Sequence, residues 1–190
     1  MAQITLNKPS GGQLTIAPED GTSTETITIP SVGVGKVLQV VSANFTNQLS
    51  GSGSFDVLSV NITPTNSTSK FFISFSGSVG VSGDAYDWGL RVKSNGTVVN
   101  ALIGDAYGTS GRVTVAPTGT DNGPYENSNA AISANFNVFW THGQSSTQTI
   151  TVEKVNSNGA TTVIFGRTSW GGSTDEQLVF PTFLTVWEIA

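Results

Sequence analysis

The chain has 190 residues, 22 of them glycine, and charged residues make up only 11 %, less than half the share usual for a globular domain. Its net charge is −5, with 8 basic residues scattered along the sequence, so it lacks the clustered Lys and Arg that displace counterions from nucleic acid. With no cysteine, disulfides, thiolate metal sites and a cysteine nucleophile are excluded.

The N-terminus, Met1 to Thr5, has no basic stretch leading into an apolar one, so no secretory signal is expected there. No run approaches the roughly 18 apolar residues that a membrane-spanning helix requires, and no membrane partner is expected. The first 33 residues repeat one small pattern three times: Ile4-Thr5-Leu6, Leu14-Thr15-Ile16 and Ile27-Thr28-Ile29. In each, two apolar side chains share one face of an extended segment and threonine takes the other. Turn-forming stretches separate them, among them Lys8 to Gly12 and Pro18 to Gly21. Burying these six apolar side chains returns less than the backbone entropy of ordering the segment. Residues 1–33 are therefore expected to lie against the body, sister chains or a partner, with Ile4, Leu6, Leu14, Ile16, Ile27 and Ile29 as contacts, or else to remain disordered.

From Lys36 onward the strand signals come regularly. Lys36–Val41 and Phe55–Ile62 are expected strands, separated by the polar segment 44–54. Phe71, Ile73 and Phe75 share one face of the next, and Tyr86, Trp88, Leu90 and Val92 alternate with polar residues in the one after. Asn95-Gly96 is a strong hairpin signal, because both positions of a tight turn want positive φ, and Thr97–Ile103 is expected to return beside it. Ile132, Ala134, Phe136, Val138 and Trp140 line one face of an expected long strand. Thr147–Val155 and Ala160–Thr168 read as a second hairpin around Asn156 to Gly159. The final strand, Phe183 to Ile189, is apolar on both faces. One face suits the interior and the other a second subunit through Phe183 and Trp187, although central burial within one chain explains the pattern equally well.

No stretch keeps a helical apolar period between caps. The expected architecture is all-β: a two-sheet, jelly-roll-like sandwich over residues 34–190, preceded by a short extended β-rich segment over residues 1–33.

Catalytic signals are sparse. The one histidine, His142, follows a strand and lacks a Gly-x-Ser-x-Gly elbow, so no catalytic residue, cofactor or metal is expected. The tetrapeptide Gly-Asp-Ala-Tyr occurs at 83–86 and again at 104–107. If Asn95-Gly96 is a two-residue turn, Asp84 faces Tyr107 and Tyr86 faces Asp105 at the open end of one hairpin. Such a rim suits calcium through oxygen ligands or a sugar against a ring. The plainer reading is that Gly-Asp starts a turn at two strand ends. Tyr125, in the loop Pro117–Asn129, is a further contact candidate.

The leader PSGGQLTIAPEDGTSTETITIPSVGVGKVLQVV, the later LIGDAYGTSGR and the aromatic closing strand resemble structural proteins of tailed bacteriophages, marine and cyanobacterial ones in particular. In those, a short β-rich leader precedes a compact trimeric β-domain. The resemblance implies a homotrimer attached to other virion proteins of the capsid or tail, made in the host cytoplasm and released in the virion; it carries over no catalytic residue. The expected function is non-enzymatic: a capsid decoration or cement protein held by its N-terminal segment. A short tail fibre or spike that binds a host receptor, and a stand-alone carbohydrate-binding module that takes a host surface glycan, are the alternatives.

Overall fold

The computed structural model describes residues 13–16, 25–28, 35–82, 88–106, 111–116, 132–156, 162–166 and 179–190. The chain divides into two units, residues 1–36 with Ala190, and residues 37–189.

In the first unit, β1 (Gln13–Ile16) and β2 (Glu25–Thr28) form an antiparallel pair, with Leu14 opposite Ile27 and Ile16 opposite Glu25. Two of the three sequence repeats thus pair with each other. Ile4, Leu6 and Ile29 lie outside the described residues.

The second unit is all-β, with a single described 3₁₀ turn at Asn100–Leu102. Its strands are β3 (Val37–Phe45), β4 (Leu49–Gly51), β5 (Phe55–Ile62), β6 (Lys70–Ser76), β7 (Ser78–Ser82), β8 (Trp88–Ser94), β9 (Thr97–Val98), β10 (Ile132–Ser133), β11 (Phe136–Thr141), β12 (Gln148–Asn156), β13 (Thr162–Phe165) and β14 (Thr182–Ile189). They form three antiparallel four-stranded sheets in a sandwich-like arrangement, ordered β11-β6-β14-β3, β10-β7-β13-β4 and β5-β12-β8-β9.

The first two sheets have the same order, position by position, because the chain crosses from one to the other at every position. β3 runs on into β4, β6 into β7 through Gly77, and β10 into β11 through Ala134-Asn135. At the remaining position, the third, the Phe180 N–H donates to the Gly166 carbonyl at 2.9 Å and so brings the start of β14 back to the end of β13. The two sheets read as one long sheet bent at a corner. Two hydrogen bonds hold that corner: the Ala134 N–H donates to the Gly77 carbonyl, and the Gly77 N–H donates to Asn135 Oδ1, both at 2.9 Å. The remaining sheet supplies Val57, Val60, Ile62, Leu90, Val92, Ile150 and Val152 to the same core as Phe71, Ile73, Phe75, Leu184 and Val186. Phe165 sits among three rings, edge-on to Phe55, Phe75 and Trp88 at centroid distances of 6.2–6.3 Å.

Several expectations are met. Phe71, Ile73 and Phe75 are all buried, as are Trp88, Leu90 and Val92. Asn95 and Gly96 have φ of 49° and 79°, the signature of the tight hairpin turn. Others need correction. The long strand through Ile132 and Trp140 is two strands in two sheets, since its alternation continues unbroken around the corner. The second hairpin does not form: β12 is flanked on both sides by β5 and β8, which leaves no edge for β13, and β13 pairs with β4 and β7. The polar segment after β3 contains β4.

The return from Asn95-Gly96 is also shorter than expected. Lys93 pairs with Val98 and Ser94 with Thr97, in the expected register. The 3₁₀ turn then lifts the chain away, and Leu90 pairs with Val115 instead of continuing that ladder. Gly89 permits this approach, because a Cβ there would sit 2.7 Å from Val113 Cγ1 and 2.9 Å from the Val115 carbonyl oxygen.

Candidate functional site

Two surfaces of the sandwich differ sharply in chemistry. On the β5-β12-β8 sheet the outer face is charged and hydroxylated. Arg91 Nε lies 2.5 Å from Glu153 Oε2 in a cross-strand pair, and Lys93 Nζ lies 2.5 Å from Asp56 Oδ1 and 3.5 Å from Glu153 Oε1. Burial opposes the Lys93 charge, but Asp56 and Glu153 outweigh it and raise the ammonium pKa. Ser59 and Thr151 share a hydrogen bond at 2.9 Å, and the Thr149 hydroxyl donates to Asn61 at 2.8 Å. These groups satisfy one another, and Thr151 and Glu153 are buried.

The outer face of the β11-β6-β14-β3 sheet carries an apolar row. Val40, Trp187, Phe72 and Phe139 stand in direct register across all four strands. Phe72 lies 4.7 Å from Phe139 and 5.2 Å from Trp187, centroid to centroid, distances at which aromatic pairs attract. Phe139 is 61 % exposed, Val40 51 % and, further along β14, Phe183 44 %. Cross-strand aromatic pairs stabilise the sheet they lie on. A continuous row that remains this exposed also presents an unusual surface to solvent.

Trp187 and Phe183 therefore lie on one outer face, as the double-sided apolar pattern of β14 predicts. The strand is also central in its sheet, between β3 and β6, while its outer face stays open, with Phe183 exposed. Val40, Phe72 and Phe139 escape the sequence reading. Each lies out of phase with the inward-facing residues of its strand, beside buried or half-buried neighbours, and that misplacement is the signal that could have found them.

The inner face of β14 ends in a buried carboxylate. Glu188 accepts hydrogen bonds from the Thr65 N–H at 2.9 Å, the Asn66 N–H at 3.1 Å, Gln39 Nε2 at 2.6 Å and Ser69 Oγ at 2.6 Å. Burial alone would raise its pKa, but these donors outweigh burial and hold it down to about 2. Ser69 Oγ also lies 3.1 Å from His142 Nε2, and His142 stacks on Phe71 at 4.1 Å. Since His142 Nδ1 accepts the Gln144 N–H at 2.9 Å, the ring proton sits on Nε2 and points at Ser69. Burial holds this imidazole below its usual range, despite the Glu188 charge nearby.

Serine here lies between the carboxylate and the histidine, whereas a nucleophilic triad places histidine in the middle. The network ties the loop after β5 to β14 and to the end of β11.

A second buried charge, Lys154, points its Nζ at the carbonyls of Ser52 and Gly53, at 3.3 and 3.0 Å, and lies 5.7 Å from the Phe55 ring centroid. Burial lowers its pKa to about 8.

Of the proposed ligand rim, Asp105 is an exposed residue beyond the 3₁₀ turn. Asp84, Tyr86, Tyr107 and Tyr125 lie outside the described residues. The β8–β9 ladder that would bring Tyr86 opposite Asp105 stops at Val98–Val99.

No family model matches the chain, and no curated protein matches its sequence. Among solved structures, it is similar to the VP2 subviral particle of infectious bursal disease virus, at 13 % identity and a TM-score of 0.35, over 95 % of this chain and 42 % of that one. It is also similar to T=1 particles derived from the same virus, at 14 % identity and a TM-score of 0.34, over 94 % of this chain and 46 % of that one. The chain thus spans less than half the length of either.

Proposed function

We propose that this chain is a non-enzymatic structural protein of a tailed-bacteriophage virion, which decorates or cements the capsid as a homotrimer. The observation that carries the assembly is the apolar row Val40–Trp187–Phe72–Phe139, exposed at both ends and half-buried between, with exposed Phe183 on the same face. Covering such a row with sister chains removes apolar surface from water at about 25 cal/mol per Å². The virion setting rests on the likeness of the leader and the closing strand to phage structural proteins. Residues 1–33, with the β1–β2 pair and its Leu14–Ile27 register, are the attachment segment. It adds strands to a capsid surface, as extended segments do when they extend an exposed sheet edge.

Light scattering tests the assembly: the full chain should have three times the 19.7 kDa mass of one copy. A Phe139→Ser, Trp187→Ser double variant should be a monomer with an unchanged circular dichroism spectrum. A monomeric parent chain would sink the reading. Antibodies against the chain, applied to purified virions, test its position. Labelled heads agree with decoration, labelled tails favour the short-fibre alternative, and unlabelled particles refute both.

A further inference from the structure

Where the edge strand β11 faces the β8–β9 turn, the sandwich opens into a cleft of about 430 Å³, within the range of small-ligand sites. Trp140 borders it, together with Asn95, Thr97, Asn100, Gln144 and Gln148. Ser94, Val98, Val99 and Ala101 also line it, and no ionisable side chain is among the described residues of the lining.

Part of this wall is fixed before any ligand arrives. Gln148 is only 3 % exposed. Its Oε1 accepts from Ser94 Oγ at 2.8 Å and from Asn95 Nδ2 at 3.1 Å, while its Nε2 donates to the Ser146 carbonyl at 2.9 Å. Asn95 Oδ1 accepts the Thr149 N–H at 2.8 Å. Trp140 stands edge-on to Phe71 and His142, at 5.9 and 6.0 Å. The Gln144 N–H is held by His142 Nδ1.

In contrast, the exposed side-chain amides of Asn100 and Gln144 make no hydrogen bond among the described residues. Each offers two donors and an acceptor, a combination that suits paired hydroxyl groups. Trp140 adds an apolar surface on which a pyranose ring can rest its C–H face. The described lining carries no charge, which disfavours phosphates, carboxylates and amines, since none of these residues offers a counter-charge to replace their lost hydration.

We propose that this cleft binds an uncharged saccharide, with Trp140 as the platform and the amides of Asn100 and Gln144 as the hydroxyl readers. It is distinct from the aromatic outer face and does not depend on the virion assignment.

Saturation-transfer NMR on the full chain tests it. The probes are three neutral trisaccharides of glucose, galactose and mannose, with sialyllactose as the charged control. At least one neutral trisaccharide should bind, and sialyllactose should not. Asn100→Ala and Gln144→Ala, both at exposed positions, should each weaken binding about tenfold without moving the melting temperature. Trp140→Phe should weaken it while keeping a ring in place. The proposal falls if none of the neutral probes binds, if the charged one binds equally, or if binding survives both amide variants.

Discussion

Ser69 Oγ lies 2.6 Å from Glu188 Oε1, although 119 residues separate them in sequence. This contact fastens the loop after β5 to the inner face of the last described strand. It sets the first prediction, because the carboxylate is buried, ionised and dependent on its donors.

Glu188 should give the protein an acid-labile component of stability. Its folded pKa of about 2 lies below the ordinary value of 4.5, so the unfolded chain binds the proton more readily. The stabilisation is complete above about pH 4.5 and is lost as the pH falls toward 2, on the order of 3 kcal/mol in all. Urea denaturation across that window should show the decline in the parent chain and a shallower one in Glu188→Gln. Equal slopes would refute the assignment.

Gly89→Ala should separate the edge formed by residues 113–115 from β8. The new methyl group would meet Val113 Cγ1 and the Val115 carbonyl at distances that no real Cβ tolerates. A loss of roughly 1–3 kcal/mol is expected, typical of overpacking. Hydrogen exchange should quicken at the Leu90 and Val115 amides, which bond across this contact, while the β11–β6 amides stay protected.

Phe165→Ala removes a ring that is fully buried and touches three others. It should cost about 3–5 kcal/mol, the range for emptying an aromatic core position. Phe139→Ala on the exposed face should cost far less in a chain kept monomeric by Trp187→Ser. Chemical denaturation of the two variants measures the contrast.

At the corner, Asn135→Ala removes the acceptor of the Gly77 N–H and should cost roughly 1–3 kcal/mol, the range for an unmet buried donor. Asn135→Asp keeps an oxygen in place and should recover most of the loss. If both variants melt alike, the side chain does not hold the corner.

What was legible in the sequence was local. Asn95-Gly96 announces its turn because its backbone angles belong to those two residues, and Phe71, Ile73 and Phe75 announce a buried face through their spacing. The corner was not legible, since Ile132, Ala134 and Phe136 keep their alternation while the chain changes sheets. Nor was the separation of β12 from β13, whose Asn156 to Gly159 connection carries turn residues without fixing which strands pair. The Glu188–Ser69–His142 network depends on three segments distant in sequence, and no spacing rule brings them together. The aromatic row was half legible: Trp187 and Phe183 lie in a strand apolar on both faces, while Phe72 and Phe139 pass for ordinary neighbours of core residues.

The placement of β14 between β3 and β6 has a consequence for synthesis. As the chain leaves the ribosome, β3 and β6 emerge early and wait with unpaired edges until residues 182–189 follow. Such edges are templates for mispairing, and closing a sheet over so long a separation is slow. Nascent chains stalled before residue 182 should collect in the insoluble fraction, and a chain released with β14 in place should not.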